Sequence, residues 1–153
     1  MGEPLLHAGK EPDMTKINVE HLNPTDAWNM LEQDKDAVLV DVRTSGEWDV
    51  IGVPALDSIN KKVVFLSWRL APSMQVNAEF VGSLKHQVES KQKPLFFICK
   101  SGGRSYEAAC AMSAQGYTQC YNIIGGFEGK VDSNSSEIVE QGWKTLQLPW
   151  EQK

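Results

Sequence analysis

The sequence has no long hydrophobic run and no excess of positive charge. Its longest apolar stretches, at 63–66 and 95–99, are far shorter than the ~20 residues that a membrane-spanning helix requires. The 15 Lys and Arg residues are outnumbered by 20 Asp and Glu, which leaves a formal net charge of -5. A chain with this net negative charge has no overall positive potential to attract a nucleic acid or an anionic membrane. We therefore expect a protein that neither crosses a bilayer nor binds nucleic acid.

Cysteine is scarce, and its spacing fits no structural framework. The three cysteines, Cys99, Cys110 and Cys120, cannot all pair within the chain. Their spacing matches neither the usual zinc patterns nor a disulfide scaffold. We expect no metal site, and free thiols in a reducing cytoplasm. Cys110 and Cys120 fall in a predicted helix and a predicted strand, where they are best interpreted as small core residues.

Length and composition favour one domain, and we expect the protein to act as a monomer. The 153 residues are 41% hydrophobic and 23% charged, as is typical of a single globular core. Residues 1–15 are polar, contain proline and lack the features of a secretory signal, so they predict a flexible tail. The domain then covers 16–150. It contains a Ser/Asn-rich polar excursion at 128–141, which is too long for an ordinary turn and is expected to be mobile.

Helical and strand patterns alternate from residue 23 onward. The sequence NPTD at 23–26 is typical of a helix start, 78–88 has apolar residues at helical spacing, and 104–115 is rich in alanine. Four runs rich in β-favouring residues, at 37–42, 62–68, 95–98 and 117–124, predict strands. The alternation predicts an α/β domain of three layers, with a mainly parallel central sheet of about five strands flanked by helices.

The segment CKSGGRS at 99–105 is the most informative part of the sequence. It lies between a buried strand and a helix, at the sheet edge where open α/β folds bind ligands. Its small residues let backbone N–H groups point toward a common centre, where they can bind an anion. The positive potential at a helix N-terminus lowers the pKa of a cysteine from its ordinary value of ~8.5 and so favours the thiolate. Cys99 is therefore the predicted nucleophile, and the guanidinium of Arg104 suits an oxyanion leaving group. The predicted substrate-binding residues are Lys100, Ser101, Gly102, Gly103, Arg104 and Ser105.

The motif CKSGGR resembles the active loop of the rhodanese superfamily, in which Cys is followed by four residues and often Arg. The run VLVDVR at 38–43, the dipeptide EW at 47–48 and the ending at 142–149 are similar to the family as well, so the matches cover about residues 17–150. The resemblance implies a rhodanese-like fold and a sulfurtransferase without a cofactor. Cys99 would take the sulfane sulfur of a small donor such as thiosulfate, release sulfite, and pass the sulfur from its persulfide to a thiol or protein acceptor.

The resemblance also implies supporting residues and two departures from the family pattern. Asp41 would support the loop through hydrogen bonds, and Arg43 would pair with Glu47. The family often has Gly-His-Ile-Pro where this chain has GVP at 52–54, and the connection at 60–78 is longer than usual. We therefore expect an altered substrate entrance.

Two other functions remain open at this point. Cysteine phosphatases and arsenate reductases have five residues between Cys and Arg, whereas four separate Cys99 from Arg104, so this alternative is the weaker one. The other is a non-catalytic rhodanese-like binding or regulatory module, and the presence of both Cys99 and Arg104 argues against it. The scattered histidines, His7, His21 and His86, receive no predicted role.

Overall fold

A five-stranded parallel sheet forms the centre of the computed structural model, which describes residues 17–153. The predicted flexible tail, 1–15, lies outside the described residues. In chain order the elements are β1 (Val19–Leu22), α1 (Pro24–Gln33), β2 (Val38–Asp41), α2 (Ser45–Ile51), β3 (Val53–Pro54), a 3₁₀ turn (Asp57–Ile59), β4 (Val64–Phe65), β5 (Arg69–Leu70), β6 (Gln75–Val76), α3 (Phe80–Gln87), β7 (Leu95–Ile98), α4 (Gly103–Ala114), β8 (Cys120–Ile123), β9 (Lys130–Val131), β10 (Ile138–Glu140) and β11 (Trp150–Glu151). The central sheet has the order β1-β8-β7-β2-β4, and every neighbouring pair is parallel.

The two faces of the sheet carry separate hydrophobic layers. In β7, which is buried along its whole length, Leu95 and Phe97 pack in the layer that contains α3 and α4. Phe96 and Ile98 pack on the opposite face in the layer that contains α1. Successive side chains of a strand point to opposite faces, so a continuous apolar run suits a strand covered on both sides. The predicted three-layer α/β architecture is confirmed.

The helices begin and end for local reasons. Asn23 caps α1 by accepting a hydrogen bond from the backbone N–H of Asp26 at 2.8 Å, and Pro24 occupies the first position. In contrast, α3 begins two residues after the predicted start, because the side chain of Asn77 holds a turn by accepting from the N–H of Glu79 at 3.0 Å. No helix within 17–153 is long and apolar enough to span a membrane.

Two connections contain strands that the sequence pattern did not predict. The long connection at 60–78 contributes only two residues to the central sheet, as β4, and then forms an antiparallel hairpin from β5 and β6. The polar excursion at 128–141 forms a second antiparallel hairpin from β9 and β10. At its tip the carboxylate of Asp132 accepts hydrogen bonds from the N–H of Asn134 and the hydroxyl of Ser135. Polar turn residues thus close a hairpin that has no strong hydrophobic alternation.

Candidate active site

Cys99 follows β7 directly and is 1% exposed. Its Sγ accepts hydrogen bonds from the backbone N–H of Gly102 at 3.1 Å and from the hydroxyl of Ser105 at 3.2 Å. Gly102 has a φ of 119°, in the left-handed region that favours glycine. This conformation turns the chain into α4. Two donors therefore converge on the sulfur atom at the N-terminus of a helix, where the backbone also supplies positive potential.

A polar chain extends from Cys99 to the surface through two buried side chains. The Ser105 oxygen lies 2.6 Å from Oδ1 of Asn122, so its single hydroxyl proton has two acceptors, that oxygen and the sulfur atom. The amide nitrogen of Asn122 donates to the carbonyl of Gly102 at 3.1 Å and lies 3.3 Å from Nδ1 of His21. Asn122 thus contacts both residues whose donors bind the sulfur of Cys99, the carbonyl of Gly102 and the hydroxyl of Ser105.

A cavity of about 350 Å³ lies beside the loop. Loop residues 101–103 form one wall, and the ring of His21 stacks on that of Tyr106 at another, with centroids 5.3 Å apart. Lys130 and Glu140, which are register partners in the 128–141 hairpin, contribute opposite charges. The polar excursion therefore borders the candidate site.

Arg104 is held by a carboxylate. Its Nη1 and Nη2 donate to the two carboxylate oxygens of Glu47 at 2.8 and 2.9 Å. Glu47 also accepts from the N–H of Thr44 at 3.1 Å, as part of the capping box that begins α2. Partial burial raises the pKa of Glu47, but the hydrogen bonds from Arg104 and Thr44 outweigh it and bring that pKa to about 2. Hydrogen bonding to Glu47 raises the pKa of Arg104, so both groups are charged at neutral pH.

The predicted pair between Arg43 and Glu47 is wrong. Arg43 binds Asp41 through Nε at 3.0 Å and Nη2 at 2.8 Å, and both side chains are fully buried. Nη2 also donates to the carbonyl of Gly52 at 2.8 Å, and the guanidinium lies 4.3 Å from the ring centroid of Phe127. Arg43 lies at a bend just after β2, and its backbone N–H also donates to Oδ1 of Asp41 at 3.1 Å. The carboxylate predicted to bind the loop therefore binds Arg43, and Glu47 is left to meet Arg104.

The back of the active loop is bonded to the segment 125–129. The carbonyl of Cys99 accepts from the N–H of Phe127 at 2.8 Å, and that of Lys100 accepts from the N–H of Glu128 at 3.0 Å. Gly126 adopts a φ of 60°, and a Cβ there would lie 2.5 Å from the carbonyl oxygen of Cys99. Only glycine permits this approach, and the loop backbone is therefore supported from behind.

The structure divides the predicted loop residues into four groups. Gly102 and Ser105 contact the sulfur of Cys99, and Ser101 and Gly103 line the neighbouring cavity. Arg104 faces Glu47. Lys100 is exposed.

Sequence reasoning missed two residues of the site, His21 and Asn122. They lie 101 positions apart and meet only because β1 pairs with β8. Asn122 carries a signal that could have been used, since a polar residue inside an apolar strand must find partners when buried. His21 is exposed and has no comparable signal.

The hydrogen bonds to the sulfur of Cys99 do not involve the other two cysteines. Cys120 is buried, and burial raises the pKa of its thiol to about 12. Cys110 is partly buried in α4. Among residues 17–153 no group of three or more His, Cys, Asp or Glu is arranged to hold a metal ion.

Comparison with known proteins identifies the family. The model of the STR4 middle domain matches residues 20–153. The chain belongs to the STR4 middle domain family. It is also 36% identical to Rv0390 of M. tuberculosis, whose crystal structure superposes with a TM-score of 0.77 over 88% of this chain and 98% of that one.

Two more distant structures share the fold. The polysulfide-sulfur transferase homodimer of Wolinella succinogenes has a TM-score of 0.58 at 21% identity, over 89% of this chain and 80% of its own. A rhodanese-like domain protein of Staphylococcus aureus has a TM-score of 0.50 at 17% identity, over 75% of this chain and 94% of its own. The fold is therefore rhodanese-like.

Proposed function

We propose that the protein is a sulfurtransferase that carries sulfur as a persulfide on Cys99. The observation that carries this proposal is the convergence of the Gly102 N–H and the Ser105 hydroxyl on Sγ, at 3.1 and 3.2 Å. Hydrogen bonds from donors fixed before the reaction stabilise charge at a sulfur nucleophile without further reorganisation. No group in this mechanism requires a cofactor.

The proposed reaction has two half-reactions. The thiolate of Cys99 attacks the sulfane sulfur of a donor, the donor's own S–S bond breaks, and the electron pair leaves with the departing group. A new S–S bond then joins Cys99 to the transferred sulfur. In the second half-reaction a thiolate of an acceptor attacks the outer sulfur and regenerates the Cys99 thiolate. A small thiol or a cysteine of a partner protein is the proposed acceptor.

Several features support this assignment. The loop is a turn between β7 and α4, at the carboxyl edge of a parallel sheet, where α/β folds bind ligands. The rhodanese-like fold is shared with the Wolinella protein, which is named a polysulfide-sulfur transferase. All three cysteines are free thiols, as the chemistry of a reducing cytoplasm requires. We propose that the protein works there as a monomer.

The phosphatase alternative is weakened by the ion pair. A cysteine phosphatase needs an arginine whose guanidinium group is free to bind a tetrahedral oxyanion. In this protein, however, both terminal nitrogens of Arg104 are bound to Glu47.

The decisive experiment measures sulfur on Cys99 by intact mass. Wild-type protein is incubated separately with thiosulfate, inorganic polysulfide and glutathione persulfide, and the adduct is then treated with cyanide. We expect one added sulfur atom with at least one donor, released as thiocyanate. Cys99→Ser should gain none, whereas the matched variant Cys110→Ser should behave as the wild type. If the wild type gains no sulfur from any donor, the sulfurtransferase proposal falls and a binding module becomes the better account.

A further inference from the structure

The arginines of the chain are paired with carboxylates. The chain has three arginines, and each pairs with an acidic side chain: Arg43 with Asp41 at 2.8 Å, Arg69 with Glu107 at 3.0 Å, and Arg104 with Glu47 at 2.8 Å. Arg104 belongs to the active loop itself. The sequence predicted that its guanidinium would bind an oxyanion, but that group is already bound to the carboxylate of Glu47.

An oxyanion donor would have to compete with that carboxylate. Thiosulfate carries two negative charges, and its departing group is sulfite, so a site for it must supply donors or cations to the oxyanion. Glu47 takes both terminal nitrogens of Arg104 in a bidentate pair, the strongest geometry for this interaction. With its pKa at about 2, Glu47 stays ionised at neutral pH. Displacing it would expose thiosulfate to a neighbouring carboxylate as well.

The remaining cation of the loop cannot replace Arg104. Lys100 is exposed to solvent, where water and salt screen its charge. Its backbone carbonyl is bound to the 125–129 segment by Glu128. A screened ammonium contributes little to the binding of an oxyanion compared with a partly buried guanidinium.

We infer that Glu47 is a specificity-determining residue that excludes oxyanion donors by occupying Arg104, so that the sulfur donor is an alkyl persulfide of a small thiol or of a protein cysteine. This inference rests on the proposed sulfurtransferase function and narrows its donor class. The step is Cys99–S⁻ plus R–S–SH giving Cys99–S–SH plus R–S⁻. The S–S bond of the donor breaks, one S–S bond forms on Cys99, and the leaving group is a thiolate that needs no oxyanion site.

The test compares two donors on the full-length protein and on Glu47→Gln. Glutamine retains an oxygen for the capping box at Thr44 but loses the charge that holds Arg104. In the wild type we expect the kcat/KM for glutathione persulfide to exceed that for thiosulfate by about tenfold or more. In Glu47→Gln we expect the thiosulfate value to rise about tenfold, since one charge-assisted contact becomes available to the donor. The persulfide value should change by less than about threefold.

A matched variant separates a local from a general charge effect. Glu32→Gln removes the same charge from an exposed position on α1 and should leave the values for both donors unchanged. The inference is overturned if wild-type protein uses thiosulfate better than the persulfide, or if Glu47→Gln is folded but gains no thiosulfate activity. If Glu47→Gln does not fold, the wild-type ranking of the two donors decides. Failure of every donor to load Cys99 is a different result, because it removes the sulfurtransferase proposal itself.

Discussion

The ion pairs Asp41–Arg43 and Glu47–Arg104 differ in their exposure to water. The Asp41 and Arg43 side chains are both 0% exposed, whereas those of Glu47 and Arg104 are 22% and 18% exposed. The first pair is enclosed by a backbone carbonyl and an aromatic ring, so removing one partner would leave the other buried without its ion pair. The second pair lies near solvent. The first pair therefore belongs to the folded core, and we expect a change in the second pair to cost less stability.

The largest expected effect is the loss of the buried charge at Asp41. Asp41→Asn leaves the guanidinium of Arg43 buried without a counter-charge, and breaking such a pair costs about 3 to 5 kcal/mol. Urea unfolding should show this decrease in the free energy of unfolding. Asp36→Asn, at an exposed position before β2, is the control and should change it little. A decrease below about 1 kcal/mol at Asp41 would mean that the core tolerates the unpaired guanidinium.

A smaller and pH-dependent effect is expected at Glu47. Because its pKa lies at about 2 in the folded protein against an ordinary 4.5, its ionised form stabilises the fold above pH 4.5. That contribution decreases as the pH falls toward 2. At neutral pH, Glu47→Gln should lower the free energy of unfolding by about 1 kcal/mol, given the partial solvent screening. Unfolding measured from pH 7 to pH 2 should show the two proteins converging, and a constant difference would contradict the prediction.

The smallest effect is expected at the third pair, where exposure is greatest. The side chains of Arg69 and Glu107 are 33% and 45% exposed. Glu107→Gln retains an acceptor for the indole N–H of Trp68, which the carboxylate binds at 2.8 Å. We expect a change in the free energy of unfolding below about 0.5 kcal/mol. Raising the salt concentration should reduce it further, and a larger effect would show that exposure does not rank the three pairs.

The parts of the fold and of the site that depend on residues close together in the sequence could be predicted. A continuous apolar run followed by CKSGGRS predicts a buried strand and a turn with Cys99 at its start, and the structure has both. The start of α1 and the alanine-rich α4 follow from local propensities in the same way. These signals lie within a few positions of the features they predict.

The choice of partner for a charged side chain was not predictable. Arg43 and Glu47 are four residues apart, which makes a pair plausible, but Arg43 follows the end of β2 whereas Glu47 lies in the first turn of α2. Glu47 therefore faces Arg104, which lies 57 positions further along the chain. The contact of Asn122 with Gly102 depends on tertiary structure in the same way. Such contacts follow from the strand order, which the local pattern does not contain.

The hairpin at 128–141 has a consequence for engineering. Its base directly follows Phe127 and Glu128, whose N–H groups donate to carbonyls of the active loop. Its tip is a polar turn at 132–137, which is closed by hydrogen bonds within the turn. A fluorophore or a short peptide placed at that tip would lie outside the central sheet, yet it would be joined through β9 and β10 to the wall of the cavity beside loop residues 101–103. The hairpin tip is thus a suitable position for a label that reports conformational changes of the active loop.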